Sequence, residues 1–385
     1  MGNIFKYLAF IFLLNNLFFG IKGFSQFSES IFLVLMAFSL FITFFSTKII
    51  RKIIFDKSFR IFLLINFLNL VYYIFLELGD FESLKYLAAR FVQFSIFSIS
   101  IFLLREDFAN QFVKFLKFIT LGSLFTSLVF KFPNFESRYH GIFWNPNEFA
   151  IIMVIGFAVI LFCSKRTTIN YLILTLFLFA VIISGSRSAV IGLFLALISY
   201  LLYNKSQKKL NIFLIIGSLL LFSFLSSEYN AISRVLESDL LNNRKYEYIY
   251  AVETFLQKPL FGHGLKNYAY IDFSLIKFDD EQINFGAHNG YLSIIVQYGA
   301  IFSIIFFSIL FFYLIKIYKQ KNDVYGKNIL QTKFLFFLIT YALVNGFFEN
   351  TIIGINFFQT NLFWLTFAYF LNVLYQKYES SSISD

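Results

Sequence analysis

Charge is scarce in this sequence. Only 14% of the 385 residues are charged, whereas 58% are hydrophobic and 60 are phenylalanine. A soluble globular protein carries about 25% charged residues and cannot bury this much apolar side chain. The composition therefore excludes a soluble protein and predicts a single integral membrane domain over residues 1–385.

Cysteine is almost absent, and the common cofactor motifs are missing. Cys163 is the single cysteine, so neither an intrachain disulfide nor a thiolate metal site can form. The chain has no P-loop, no GxGxxG fingerprint, no HExxH motif and no Asp-x-Asp pair of the kind that metal-dependent nucleotide-sugar enzymes use. We therefore expect neither a metal ion nor another cofactor.

Long apolar runs dominate what is present. A membrane-spanning helix needs about 20 mostly apolar residues. The sequence predicts an all-α polytopic membrane protein with about twelve such helices, the first of them uncleaved because no small-x-small cleavage site follows it. The segments are about 4–20, 29–46, 61–78, 87–104, 112–130, 148–162, 171–184, 189–203, 212–225, 298–317, 334–346 and 356–375.

The basic residues give an orientation. The net charge is +10, and most lysines and arginines lie in alternate short connections between the apolar runs. Such a bias marks the cytoplasmic side and faces anionic lipid, so a nucleic-acid partner is not expected. Both termini are predicted to be cytoplasmic, and the large loop at 226–287 to be outside.

The large loop is the main polar part of the chain, and we expect it to carry part of an active site. It holds His263 and leads into His288, at the edge of the next apolar segment. A helix is predicted from Arg244 to just before Pro259, with Arg244, Tyr248, Ala251 and Phe255 on one face. An acidic run at 279–281 is either a solvated loop or a contact for a sugar or cation.

Three arginines are expected at the outer membrane face: Arg138, Arg187 and Arg244. Residues 167–204 give about 57 Å of helix at ~1.5 Å per residue, which two passes through a ~30 Å core use completely. Arg187, in the turn between those passes, should therefore lie at headgroup depth, where an anionic partner is favoured. Arginine pairs bidentately with phosphate, so the three suit a lipid-linked pyrophosphate; the alternative is snorkelling at the interface.

His288 is the candidate general base. Its usual pKa near ~6.5 lets it accept a hydroxyl proton at neutral pH. The alternative is a histidine that caps or packs against a helix. Asn289 could orient His288, and Glu349 is either a second carboxylate of the site or a helix-end residue. His140, close to Arg138, and His263, between two glycines, are weaker candidates.

Taken in order, these motifs form a pattern. Arg138-x-x-Gly141-x-Phe143-x-Asn145-Pro146-Asn147 is followed by the Ser-Gly-Ser-Arg-Ser turn at 184–188, Arg244 opening a helix, Pro259-Leu-Phe-Gly-x-Gly264, and His288-Asn289 before Gly299. This pattern resembles the O-antigen ligase / O-antigen polymerase superfamily of bacterial envelope glycosyltransferases.

The resemblance implies transfer of a glycan from an undecaprenyl-pyrophosphate carrier to an acceptor hydroxyl, at the periplasmic face of the inner membrane and without a metal or a nucleotide sugar. Arg187 and Arg244 would bind the pyrophosphate with Arg138 as a further contact, and His288 would be the base. Asn147, Asn289 and Glu349 would be auxiliary. The implied partners are the lipid-linked oligosaccharide, an acceptor glycan or lipid A core, the bilayer and a chain-length regulator.

Polymerase and ligase both fit this pattern. The short loops and the high Phe, Ile, Lys and Asn content favour a repeat-unit polymerase. A lipid-linked oligosaccharide flippase is the alternative from another class. It would predict an internal repeat and ionisable residues near the middle of the membrane, and the sequence shows neither.

Overall fold

The computed structural model describes residues 2–45, 48–133, 137–203, 244–275, 287–319 and 329–381. Within these ranges the regular structure is helical, apart from one isolated bridge between Ile21 and Phe143. The α-helices are α1 (Gly2–Phe19), α2 (Ser25–Phe45), α3 (Lys48–Ile54), α4 (Arg60–Leu76), α5 (Phe81–Leu104), α6 (Phe108–Phe130), α7 (Pro146–Cys163), α8 (Thr168–Ile183), α9 (Arg187–Tyr203), α10 (Arg244–Gln257), α11 (Gly290–Lys319), α12 (Ile329–Asn345) and α13 (Phe358–Ser381).

The apolar helices make this a multi-pass membrane protein. Five segments are long and apolar enough to cross a bilayer, and shorter apolar helices accompany them. All but one of the predicted apolar segments coincide with described helices; the segment 212–225 lies outside the described residues, as does the acidic run 279–281. The number of spans and their orientation remain predictions. The five segments are Lys57–Leu76, Phe81–Leu104, Phe108–Phe130, Pro146–Cys163 and Gly290–Lys319.

Helix α7 is the enclosed centre of the described bundle. Every residue from Phe149 to Phe162 is buried, and the helix packs against α6, α8, α9 and α12. Gly156 provides the space into which the ring of Phe177 fits. The Asn145 side chain caps the start of α7, and Pro146 occupies its first turn, where no amide donor is required. The polar residues at this end of α7 therefore have a fixed position.

Helix α10 confirms the helix predicted between Arg244 and Pro259. Ala251 is buried on its inner face, as are Glu247, Tyr250 and Thr254. Tyr248 is half-buried, and α10 packs against α11. The buried face is thus shifted by about one residue from the predicted face that begins at Arg244, and it carries the carboxyl group of Glu247.

Helix α11 begins eight residues earlier than predicted and contains a break. Gly299 has φ 67° and ψ −179°, a conformation open essentially to glycine. The turn at 259–264 packs into this break and restores the backbone hydrogen bonds. The amides of His263 and Gly264 donate to the carbonyls of Val296 and Gln297, and the amides of Ala300 and Ile301 donate to those of Pro259 and Leu260.

Several polar connections meet at one end of the bundle. The Trp144 amide donates to the Gly20 carbonyl at 3.0 Å, which joins the end of α1 to the start of α7. The Tyr139 amide donates to the Ile183 carbonyl at 3.0 Å, and the Gly290 amide donates to the Gly346 carbonyl at 2.8 Å. These contacts join the segment before α7 to the ends of α1 and α8, and the start of α11 to the end of α12.

Candidate active site

Glu349 is the centre of the polar cluster at this end. Its Oε1 accepts hydrogen bonds from Arg244 at 2.7 Å and from Asn147 Nδ2 at 2.9 Å. Its Oε2 lies 3.5 Å from His288 Nδ1, an ion-pair contact longer than an ordinary hydrogen bond. One half-buried carboxylate thus contacts residues from the large loop, the start of α7 and the segment before α11.

The backbone around Glu349 fixes its position. The Glu349 amide donates to the Asn345 carbonyl at 2.8 Å, which extends the end of α12. The Glu349 carbonyl accepts from the amides of Thr351 and Gly290, and Gly290 also donates to Gly346. Since Gly290 follows His288 by two residues, these bonds hold the imidazole beside the carboxylate.

Arg138 joins this cluster to the turn that carries Arg187. Its guanidinium donates to Asn147 Oδ1 at 2.6 Å and to the Ser184 carbonyl at 3.1 Å. Arg187, three residues beyond Ser184, is half-buried and begins α9. The structure therefore places Arg138 and Arg244 in contact with the polar groups around Glu349, and Arg187 at the start of α9, directly after the turn that Arg138 contacts.

Asn289 caps helix α11. Its Oδ1 accepts from the amides of Tyr291 and Leu292, each at 3.0 Å. This is the usual geometry of an N-cap. Asn289 thus fixes the start of the helix directly after His288, and no described hydrogen bond joins its side chain to the imidazole.

The charges around His288 and Glu349 shift the pKa values of both. Burial lowers the pKa of His288, but the Glu349 carboxylate opposes this, and the net pKa is raised above its usual value. Burial raises the pKa of Glu349, whereas His288 and Arg244 lower it, and the net shift is downward. The pair therefore favours an anionic Glu349 beside an imidazole of increased basicity.

Two residues of α10 belong to this site and were not among the sequence candidates. Glu247 is buried near His288 and Arg244, and burial raises the pKa of its carboxyl group. The Tyr248 hydroxyl donates to the Phe347 carbonyl at 2.5 Å, which ties α10 to the segment that holds Glu349. The signal for Glu247 was its position three residues after Arg244, which puts both on one face of the helix.

A cavity of about 480 Å³ opens beside the cluster. His288 and Glu349 form one part of its wall, and Glu148, at the start of α7, forms another. The size is typical of a small-molecule site. Glu148 was not a sequence candidate because a single carboxylate after a proline carries no distinctive pattern.

The two weaker histidine candidates, His263 and His140, contact groups outside the Glu349 cluster. His263 Nε2 is 2.7 Å from the Thr254 carbonyl, within the turn that packs against α11. His140 Nδ1 donates to the Phe143 carbonyl, and its Nε2 lies 2.7 Å from Lys131 Nζ. Burial lowers the pKa of His140. Among the described residues, no group of three or more His, Cys, Asp or Glu side chains is arranged to hold a metal ion.

Comparison with known protein families finds a match to part of the chain. Residues 172–307 match the model of the family described as O-antigen ligase. This match confirms the resemblance to the O-antigen ligase / O-antigen polymerase superfamily over that segment, which includes Arg187, Arg244 and His288. No curated protein matches the chain.

Proposed function

We propose that this protein is a membrane glycosyltransferase that moves a glycan from an undecaprenyl-pyrophosphate carrier to an acceptor hydroxyl, as a polymerase of envelope-glycan repeat units in the bacterial inner membrane. The observation that carries the proposal is the contact of Glu349 with both Arg244 and His288. A cation for the donor phosphates and a base for the acceptor are thereby adjacent, in a segment that matches the O-antigen ligase family.

The arginines are assigned to the donor. Negative charge grows on the pyrophosphate as it leaves, and preorganised guanidinium groups stabilise that charge in a site with little water. Arg244 forms an ion pair with the Glu349 carboxylate at 2.7 Å. When the pyrophosphate binds, it competes with Glu349 for Arg244, and Arg138 and Arg187 complete the cationic wall.

His288 is assigned to the acceptor. Its Nδ1 faces Glu349, so a proton on Nδ1 is favoured and Nε2 is the nitrogen that takes the proton. The acceptor oxygen forms a bond with the anomeric carbon as its proton passes to Nε2. The bond from that carbon to the pyrophosphate oxygen breaks, and undecaprenyl pyrophosphate leaves with the electron pair.

One displacement of this kind inverts the anomeric centre. The direct mechanism is a hypothesis that follows from a single base on the acceptor side. NMR of the anomeric linkage in donor and product tests it, and retention would contradict it.

Ligation of a finished polymer to lipid A core is the second candidate, because the matching family model is described as O-antigen ligase. The two reactions share the site chemistry and differ in the acceptor. A flippase is less well supported, since transport would require a central cavity near the middle of the membrane, whereas the described polar cluster lies at one end of the bundle.

The glycan profile of a deletion strain complemented with wild type or His288→Ala tests the proposal. A lipid anchor that carries one repeat and no ladder in the deletion strain identifies a polymerase, and a bare anchor with long glycan on the undecaprenyl carrier identifies a ligase. We expect His288→Ala to lower product formation by about 10²–10⁴-fold, the usual contribution of a general base. His263→Ala is the control, and full rescue by His288→Ala would remove His288 as the base.

A further inference from the structure

We propose that the cavity beside His288 is the binding site of the acceptor sugar and that this sugar is an uncharged, hydroxyl-rich ring. The inference rests on the proposed function and locates the binding site of the second substrate, the acceptor. It also names residues that position the acceptor: Asn16, Asn356 and Glu148.

The position of the cavity carries the first step. His288 and Glu349 belong to its wall, whereas the described lining includes none of Arg138, Arg187 and Arg244. Glu349 therefore contacts Arg244 and also borders the cavity, together with His288. A hydroxyl bound in the cavity can therefore reach the imidazole, and displacement requires its oxygen to approach the anomeric carbon from the side opposite the pyrophosphate oxygen.

The lining chemistry suits a sugar. Amide side chains border the cavity at Asn145, Asn356 and Gln359, and each can both donate and accept a hydrogen bond. The half-buried ring of Phe357 supplies apolar surface for the C–H face of a pyranose. Such a mixture of aromatic surface and a few placed polar groups is typical of small-ligand sites.

Two of the lining residues each have a buried side-chain oxygen that accepts no hydrogen bond from the described residues. Asn16 is 3% exposed, and its Nδ2 donates to the Phe12 carbonyl at 2.5 Å. The Oδ1 atoms of Asn16 and Asn356 are buried and have no donor among the described residues. A buried acceptor without a donor is unfavourable, and a hydroxyl of a bound sugar would supply one to each.

The charge of the cavity selects against acidic sugars. Glu148 and Glu349 both border it, no lysine or arginine of the described residues does, and His288, the lining side chain that can become cationic, already contacts Glu349. Glu148 lies close to Gly20, because a Cβ added to that glycine would be 2.8 Å from Glu148 Oε2. A sugar carboxylate in this space would meet two carboxyl groups, whereas a neutral ring would meet hydrogen-bond acceptors.

Steady-state transfer with the purified full-length protein in nanodiscs tests the assignment. The donor is the lipid-linked oligosaccharide extracted from the deletion strain, and the acceptor is the same oligosaccharide released from its carrier by mild acid, which has no pyrophosphate and can act only as an acceptor. We expect Asn16→Ala and Asn356→Ala each to raise the acceptor KM by about 3- to 10-fold, as for one lost hydrogen bond, and to leave the donor KM unchanged. Arg244→Lys should raise the donor KM instead. Linkage analysis should identify a neutral sugar at the new junction.

Asn15→Ala is the matched control, because Asn15 is the buried neighbour of Asn16 and bonds to Ser28. It should leave both KM values in place. If the wild type transfers glycan but neither Asn16→Ala nor Asn356→Ala changes the acceptor KM, the acceptor site is overturned and the proposed function is not. An acidic sugar at the junction would have the same consequence. No transfer by the wild type would overturn the proposed function and this inference together.

Discussion

At the residue scale, Glu349 connects the two halves of the proposed reaction. Its carboxylate lies 2.7 Å from an Arg244 nitrogen and 3.5 Å from His288 Nδ1. A pyrophosphate that draws Arg244 away would leave the negative charge of Glu349 to act on the imidazole. Binding of the donor would in this way increase the basicity of the group that accepts the proton.

The pH dependence should report this contact. The pKa of His288 is raised, so the neutral base forms as the pH rises through a value above the usual ~6.5, and activity should rise with it. Glu349→Gln removes the carboxylate that raises the pKa and leaves the burial that lowers it. The rising limb of the pH–rate profile should therefore move to lower pH, with a maximum rate at least about tenfold smaller.

Glu253→Gln is the control for this profile. Glu253 lies on the exposed side of α10, away from the buried face that carries Glu247. Its substitution should leave the limb in place. If the rising limb of the pH–rate profile of Glu349→Gln stays at the wild-type pH, the titrating base is not the imidazole beside Glu349.

At the scale of elements, the turn at 259–264 and the break in α11 form one unit. Breaking a helix frees backbone amides and carbonyls, which are costly to leave unbonded where water is excluded. Here the turn bonds to the freed groups on both sides of Gly299. The part of α11 before the break can thus carry His288 and Asn289 at its start.

Gly299→Ala should destabilise the protein. The conformation of Gly299 is open essentially to glycine, and an added Cβ would collide with the backbone of Leu260 and Gly262. We expect a clear fall in the thermal midpoint of the detergent-solubilised protein, equivalent to about 1–3 kcal/mol.

Gly122→Ala is the matched control in this measurement. Gly122 lies within α6, and nothing is within 4 Å of a Cβ added there. Alanine favours a helix over glycine, so the midpoint should stay or rise. Equal midpoints for Gly299→Ala and the wild type would argue against the packed break.

At the scale of the whole molecule, the orientation of the bundle decides which substrates reach the site. The positive-inside pattern predicts that the large loop is outside and the connection at 165–166 is inside. In a Cys163→Ser background, Lys258→Cys should react with a membrane-impermeant maleimide in intact spheroplasts. Lys165→Cys should react only after the membrane is opened. Both positions are exposed in the structure.

The cysteine-free Cys163→Ser parent should show no labelling on either side. The reverse pattern, with Lys165→Cys labelled first, would place the candidate site in the cytoplasm. It would contradict a periplasmic lipid-linked donor and leave the helical fold unaffected.

Sequence by itself determined the class of protein. Apolar runs of this length are typical of membrane helices, so these helices, and the helix between Arg244 and Pro259, were predictable from composition and local signals. The arginine and histidine candidates followed from motif order, and the family match bears out that resemblance.

Only the tertiary structure decided which polar residues meet. Glu349 lies 105 positions from Arg244 and 202 from Asn147 in the chain, and local sequence carries no information on such distant pairs. The break at Gly299, the contribution of Glu247 and the cavity bordered by Glu148 likewise depend on packing between separate helices. Local patterns fix helices through short-range periodicity, whereas a site is fixed by which helix ends the packed bundle brings together.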